Sequence, residues 1–129
     1  MKIKAVDHIT VNVKNLEETL RFYGEVLGFE RLPDVPMDGQ VIYYFRLPGG
    51  TRLELIKYDH DTGVSDGNEL AVGSCRHFAF EVENIEETVE TLRKAGYEFH
   101  LPCAWSYVLG CTCGLVRDPN GFELEFLQR

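Results

Sequence analysis

Residues 117–127 read Arg117-Asp118-Pro119-Asn120-Gly121-Phe122-Glu123-Leu124-Glu125-Phe126-Leu127. Asp-Pro-Asn-Gly is turn chemistry: proline presets φ, while asparagine and glycine accept positive φ. A strand then alternates. Phe122, Leu124 and Phe126 share one side, Glu123 and Glu125 the other. Carboxylates opposite a wall of large apolar residues belong in water, against a counter-charge or on a cation. What decides among these is that the pattern occurs twice.

Arg76-His77-Phe78-Ala79-Phe80-Glu81-Val82 repeats the layout of Asp7-His8-Ile9-Thr10-Val11-Asn12-Val13, an alternating half-buried strand with histidine on its polar face. Asn84-Ile85-Glu86-Glu87-Thr88-Val89 repeats Asn15-Leu16-Glu17-Glu18-Thr19-Leu20, an Asn N-cap with a capping-box Glu three residues on. In the first helix Leu16, Leu20, Tyr23 and Leu27 form one stripe, and Gly28 is the expected stop. Gly96-Tyr97-Glu98 repeats Gly28-Phe29-Glu30, Pro119-Asn120-Gly121 repeats Pro48-Gly49-Gly50, and Glu125 repeats Glu54. The offset is 69 for the histidines and the capping asparagines and 71 for the glutamates. Matches in order at one period indicate internal duplication. The first copy adds a short strand over 29–32, a loop over 34–39, and strands over 41–47 and 51–58. Each copy therefore reads β-α-β-β-β. The expected fold class is α+β, one domain over 1–129: module one at 1–58, a polar, Gly-rich linker at 59–74, and module two at 75–129.

A sheet with one helix buries one face. The other face carries His8 and Glu54 in module one and His77 and Glu125 in module two. If the two sheets form a curved, barrel-like cleft, these four side chains converge in it. Two imidazoles and two carboxylates suit a divalent ion, and a set without thiolate leaves room for water or substrate. Glu123 shares that face but is the weaker ligand, because its repeat counterpart is Arg52. His60 and His100 have no repeat partner and read as surface or loop residues. Asn12, Tyr44, Arg46, Trp105 and Tyr107 are candidate pocket walls. Trp105 and Tyr107 are placed in a loop between strands, either as a lid or as packing at the module seam. Arg46 or Arg52 is a candidate for meeting an anionic substrate group.

The remaining composition narrows the function. The chain has 129 residues, 44% hydrophobic and 26% charged, with a formal net charge of -8. That acidity and the lack of a basic, aromatic-interleaved stripe argue against nucleic acid and anionic membranes as partners. No apolar run suggests a leader or a membrane span, so a cytoplasmic location is expected. Cys75, Cys103, Cys111 and Cys113 are then expected as reduced thiols. Cys111-Thr112-Cys113 lacks the two-residue gap of zinc and redox motifs.

The paired β-α-β-β-β units, with HITVNV, FYGEVLGFE, RLELI, RHFAFEV and DPNGFELEF, resemble the vicinal oxygen chelate superfamily. That group includes glyoxalase I, methylmalonyl-CoA epimerase, extradiol dioxygenases, fosfomycin-resistance transferases and bleomycin-resistance proteins. The resemblance covers essentially the whole chain. It implies the glyoxalase/bleomycin resistance/dihydroxybiphenyl dioxygenase fold and, by ligand set, glyoxalase I-like (lactoylglutathione lyase-like) proteins. They take one His and one Glu from each module, here His8, Glu54, His77 and Glu125. The implied cofactor is a divalent metal (Zn, Ni, Co, Mn or Fe). The implied reaction is a lyase or isomerase step on a small 2-oxo or hemithioacetal-type substrate through a metal-bound enediolate. Glu125 is the expected base, with Glu54 as second ligand or partner base. Bacterial glyoxalase I commonly has Arg at the position of Asn12 and Asn near Tyr58, both serving glutathione; neither is present, so the thiol is left open. The resemblance also implies a homodimer with sites at the subunit interface, His8 and Glu54 of one chain facing His77 and Glu125 of the other. Two alternatives are an Fe(II) extradiol-type dioxygenase, against which Glu54 argues, and a non-catalytic small-molecule-binding protein with an aromatic pocket.

Overall fold

The computed structural model describes residues 1–65 and 70–129. Residues 66–69 of the expected linker lie outside the described residues. The chain forms two compact units, Met1–Gly63 and Val64–Arg129. No helix among the described residues is long and apolar enough to cross a membrane.

The first unit runs β1 (His8–Asn12), α1 (Leu16–Arg21), a π turn (Phe22–Val26), β2 (Glu30–Arg31), β3 (Val35–Met37), β4 (Gln40–Arg46) and β5 (Arg52–Tyr58). Its sheet is ordered β1-β5-β4-β2, with β3 also on β4. β1 is parallel to β5, and β4 is antiparallel to it. The second unit runs β6 (His77–Glu81), α2 (Ile85–Lys94), β7 (Phe99–Ser106), β8 (Cys111–Arg117) and β9 (Glu123–Gln128). Its sheet is ordered β6-β9-β8-β7, with β6 parallel to β9. Both units show the expected β-α-β-β-β order, with β3 as an addition in the first. The expected loop over 34–39 holds β3 because its backbone pairs with the edge of β4.

Both helices open as their sequences dictate. Asn15 Oδ1 accepts from the backbone N–H of Glu18 at 3.1 Å, and Asn84 Oδ1 from that of Glu87 at 3.0 Å. Each cap satisfies one orphan donor of the first turn. Asn84→Ala is expected to cost the second unit about 1 kcal/mol, read as a lower urea midpoint at unchanged slope.

The apolar stripe of the first helix matches expectation at Tyr23 and differs elsewhere. Thr19, Phe22 and Tyr23 are buried, while Leu16, Leu20 and Leu27 are only partly covered. For Leu27 the cause is the π turn, in which its N–H reaches back five residues to the Phe22 carbonyl at 2.9 Å. One widened turn rotates the chain beyond it away from a regular 3.6-residue stripe. Phe22 and Tyr23 are fully buried, as are Phe45, Leu53 and Leu55, and the Tyr23 ring meets that of Phe45 at 6.3 Å. Gly28, at φ 73, ends the segment where a side chain would be strained.

The two faces of each sheet separate as the alternation predicts. Leu53 and Leu55 in the first unit, and Leu124 and Phe126 in the second, are buried on the apolar face. Glu54, Glu123 and Glu125 lie on the opposite face.

Candidate metal centre

In the first unit the register sets His8 opposite Arg52, and Thr10 opposite Glu54, on the parallel pair β1–β5. Tyr44 on β4 also stands opposite Glu54, which places it on the His8 and Glu54 face. Glu54 is buried. It is tolerated there because Thr10 Oγ1 donates to its Oε1 at 3.0 Å and the Tyr44 hydroxyl donates to its Oε2. Each oxygen keeps a second lone pair for a ligand. That hydrogen bond to Glu54, with burial, pushes the Tyr44 hydroxyl above its ordinary value, so Tyr44 remains a donor at neutral pH.

His8 Nδ1 meets Asp7 Oδ2 at 2.8 Å. A carboxylate only accepts, so Nδ1 carries the proton and Nε2 is the atom left for a ligand. Asp7 is held below the usual carboxylate range by its hydrogen bond to His8 and then by Arg52. Arg52 lies 4.8 Å from the Tyr44 ring centroid. Arg46 is ion-paired with Glu30 at 2.8 Å. Both candidate arginines thus already face a carboxylate of the protein.

The second unit repeats this register. His77 stands opposite Glu123, and Ala79 opposite Glu125, on β6–β9. His77 Nε2 lies 3.2 Å from Glu125 Oε2. Donor atoms held 2.0–2.2 Å from a tetrahedral ion stand about 3.3 Å apart, so this pair has the spacing of two ligands on one cation. The Cys113 thiol also binds Glu125. Burial, and next this hydrogen bond, push that thiol up to about 11, so it serves as a neutral donor.

His100 and Glu123 together are what the sequence reading missed. His100 is exposed, as expected, but it lies in β7 rather than a loop, and its Nε2 meets Glu123 Oε2 at 2.9 Å. β7 carries two register irregularities, between Phe99 and Leu101 and between Leu101 and Ala104. Simple alternation cannot place a side chain beside a bulge. The available signal was Glu123 itself, an acid on the ligand-bearing face in need of partners. It is 3% exposed, with His100, His77, Arg76 and Arg117 around it.

Trp105 also departs from expectation. It belongs to β7, opposite Thr112, on the α2 side of the sheet and away from Glu125. There it lines a groove of about 900 Å³ with Val89, Tyr97, Phe99 and Cys103. Tyr107 follows it in the turn, ring edge to ring at 6.2 Å. His60 is exposed and pairs with Asp59, as a loop residue should. All four cysteines are free thiols.

Among the described residues no group of three or more His, Cys, Asp or Glu side chains is gathered to hold an ion. The polar face of the first sheet carries His8 and Glu54; that of the second carries His77, Glu123 and Glu125, with His100 against Glu123. Imidazole nitrogen and carboxylate oxygen are donors that suit a divalent cation, and in the second unit His77 and Glu125 stand 3.2 Å apart.

Known proteins share this arrangement of elements. A crystal structure of a glyoxalase family protein from Enterococcus faecalis superposes with a TM-score of 0.82 at 32% identity, covering 98% of this chain and 99% of that one. A lactoylglutathione lyase from Neisseria meningitidis is 28% identical over 127 residues, 95% of this chain and 88% of that protein. The Arabidopsis thaliana lactoylglutathione lyase is 26% identical over 124 residues, 95% of this chain but 43% of its own length. This chain therefore spans less than half of that plant relative. Mouse mitochondrial methylmalonyl-CoA epimerase is 31% identical over 99 residues, 72% of this chain and 54% of that protein. Residues 5–126, nearly the whole duplicated chain, match the Glyoxalase/Bleomycin resistance protein/Dioxygenase superfamily, and the chain belongs to it.

Proposed function

We propose that this protein is a divalent-metal-dependent lyase or isomerase of glyoxalase type, acting on a small 2-oxo or hemithioacetal-type substrate. His8, Glu54, His77 and Glu125 are its ligand set, and the protein works as a cytoplasmic homodimer. The observation that carries this reading is the 3.2 Å approach of His77 Nε2 to Glu125 Oε2 on the polar face of β6–β9. Similarity to lactoylglutathione lyases and to an epimerase supports the reaction class.

A bound divalent ion supplies Lewis acidity, lowering the cost of negative charge on two neighbouring substrate oxygens. The chain's own residues do the rest. His8 and His77 anchor through Nε2. Glu125 takes a proton from the carbon beside the carbonyl and returns it to the neighbouring carbon, so no electrons are gained or lost overall. Cys113, as a neutral donor, holds that carboxylate in place. Glu54, steadied by Thr10 and Tyr44, is the second carboxylate ligand or partner base.

Elemental analysis of untreated protein tests the reading directly. About one divalent ion per chain is expected. After chelation and reloading, turnover should return with hemithioacetals, 2-oxo acids or acyl-CoA thioesters, and solvent deuterium should enter at the reacting carbon. Protein that takes up no divalent ion under any loading condition defeats the reading. Light scattering should give twice the 14.7 kDa chain mass.

A further inference from the structure

Repeat positions 7, 8 and 52 correspond to 76, 77 and 123. At the first set stand Asp7, His8 and Arg52; at the second, Arg76, His77 and Glu123. Both units thus pair an acid with a guanidinium around the histidine, but the two members have exchanged places. In the first unit the acid precedes the histidine, and the arginine stands across the strand pair from it. In the second the arginine precedes the histidine, and the acid stands across, with Arg76 Nε 3.6 Å from Glu123 Oε1. The outcome is alike. Each imidazole has its Nδ1 directed at a carboxylate, at 2.8 Å for His8 with Asp7 and at 3.6 Å for His77 with Glu123.

A separate observation shows that the second contact is poised rather than incidental. His77 Nδ1 and Glu123 Oε1 are both buried, and neither has a hydrogen-bond partner among the described residues. Without a cation, His77 Nε2 faces Glu125 Oε2 at 3.2 Å and is the nitrogen that donates; a cation taking Nε2 would leave the proton on Nδ1, where Glu123 stands to accept it. His100 at 2.9 Å and Arg117 at 3.7 Å secure the other oxygen, so Glu123 is held in place to accept that proton.

We propose that Asp7–Arg52 and Glu123–Arg76 are equivalent positioning pairs that hold the proton on Nδ1 of His8 and His77. They thereby leave Nε2 as the cation-binding atom of each, and His100 braces the second pair. The chemistry is general: a carboxylate behind a ligating imidazole fixes its tautomer and orientation and raises its donor strength. Glu123 is a positioning residue here and not a ligand, because two guanidinium groups beside it disfavour a cation. Its repeat counterpart on the facing strand is Arg52. The exchange explains that mismatch: the acid is present in both units, on opposite strands.

This inference rests on the metal reading above, and the test separates the two. Cobalt(II) affinity is measured by chelator competition, with the visible absorption of the bound ion as a record of its coordination. Glu123→Gln is expected to weaken binding about 10–100-fold and alter that spectrum. The first pair is solvent-exposed, with side-chain exposures of 38% for Arg52 and 71% for Asp7, so it can be exchanged without repacking a core. Asp7→Arg alone should weaken binding by about tenfold. Asp7→Arg combined with Arg52→Glu, which installs the order of the second unit, should restore wild-type affinity and spectrum. Unchanged affinity in Glu123→Gln, or no recovery in the double exchange, overturns the inference while the metal reading stands. Wild-type protein without cobalt affinity overturns both.

Discussion

Glu125→Gln should lower turnover by about 10²–10⁴-fold, the usual contribution of a positioned proton-transfer group, and should also weaken metal binding. The substitution keeps the side chain's size and one carbonyl oxygen. It removes the negative charge and the proton-accepting oxygen that stands 3.2 Å from His77 Nε2. A loss in affinity alone would be recovered by saturating metal, whereas the loss in proton transfer would not. Measuring turnover against metal concentration separates them. The maximum should stay depressed for Glu125→Gln and recover partly for Glu125→Asp, which keeps a base but draws it back by one methylene. Equal metal content and equal turnover in wild type and Glu125→Gln would remove Glu125 from both roles. The neighbouring Cys113 adds a control: Cys113→Ala deletes a neutral donor to the same carboxylate, so its effect should be far smaller.

The parts of this molecule that were legible in its sequence obey short-range rules. The N-caps at Asn15 and Asn84 follow from side-chain chemistry three residues deep. The strands at 8–12, 77–81 and 123–128 follow from period-two alternation. Duplication did the most, because one register read twice marks His77 and Glu125 as a candidate pair rather than two solvated residues. What was not legible depends on irregularity. Of the expected stripe Tyr23 alone is fully buried, and a π turn carries Leu27 off the regular spacing. The bulges of β7 brought His100 to Glu123 and set Trp105 on the α2 side of the sheet. Tyr44 became legible only through pairing, since alternation gives the face relative to Arg46 but not relative to Glu54. The exchanged acid–arginine pairs were hidden by the very comparison that revealed the repeat: position-by-position matching reports Arg52 against Glu123 as a mismatch, although the two units perform the same electrostatic task.

Gly114→Ala is expected to destabilise the second unit by about 1–3 kcal/mol, toward the upper end, because the clash is with backbone. Gly114 lies on β8 opposite Phe126, where β7 crosses its register irregularities. A Cβ there would stand 2.6 Å from Cys103 Sγ, 2.8 Å from the Leu101 carbonyl oxygen and 2.9 Å from the Cys103 backbone nitrogen. One of those neighbours is a side chain that can be removed; the other two are main chain. Cys103→Ala combined with Gly114→Ala should therefore recover only part of the loss. Full recovery would mean that sulfur alone sets the limit and that the β7 backbone yields easily. The measurement is the urea midpoint by circular dichroism, with the slope checked for loss of cooperativity. The consequence reaches the site, because β7 also carries His100. A β7 displaced from β8 loosens the brace on Glu123, so Gly114→Ala should weaken cobalt binding even under conditions where the protein remains folded. A variant that loses stability but keeps full metal affinity would show that His100 holds its carboxylate independently of how β7 packs on β8.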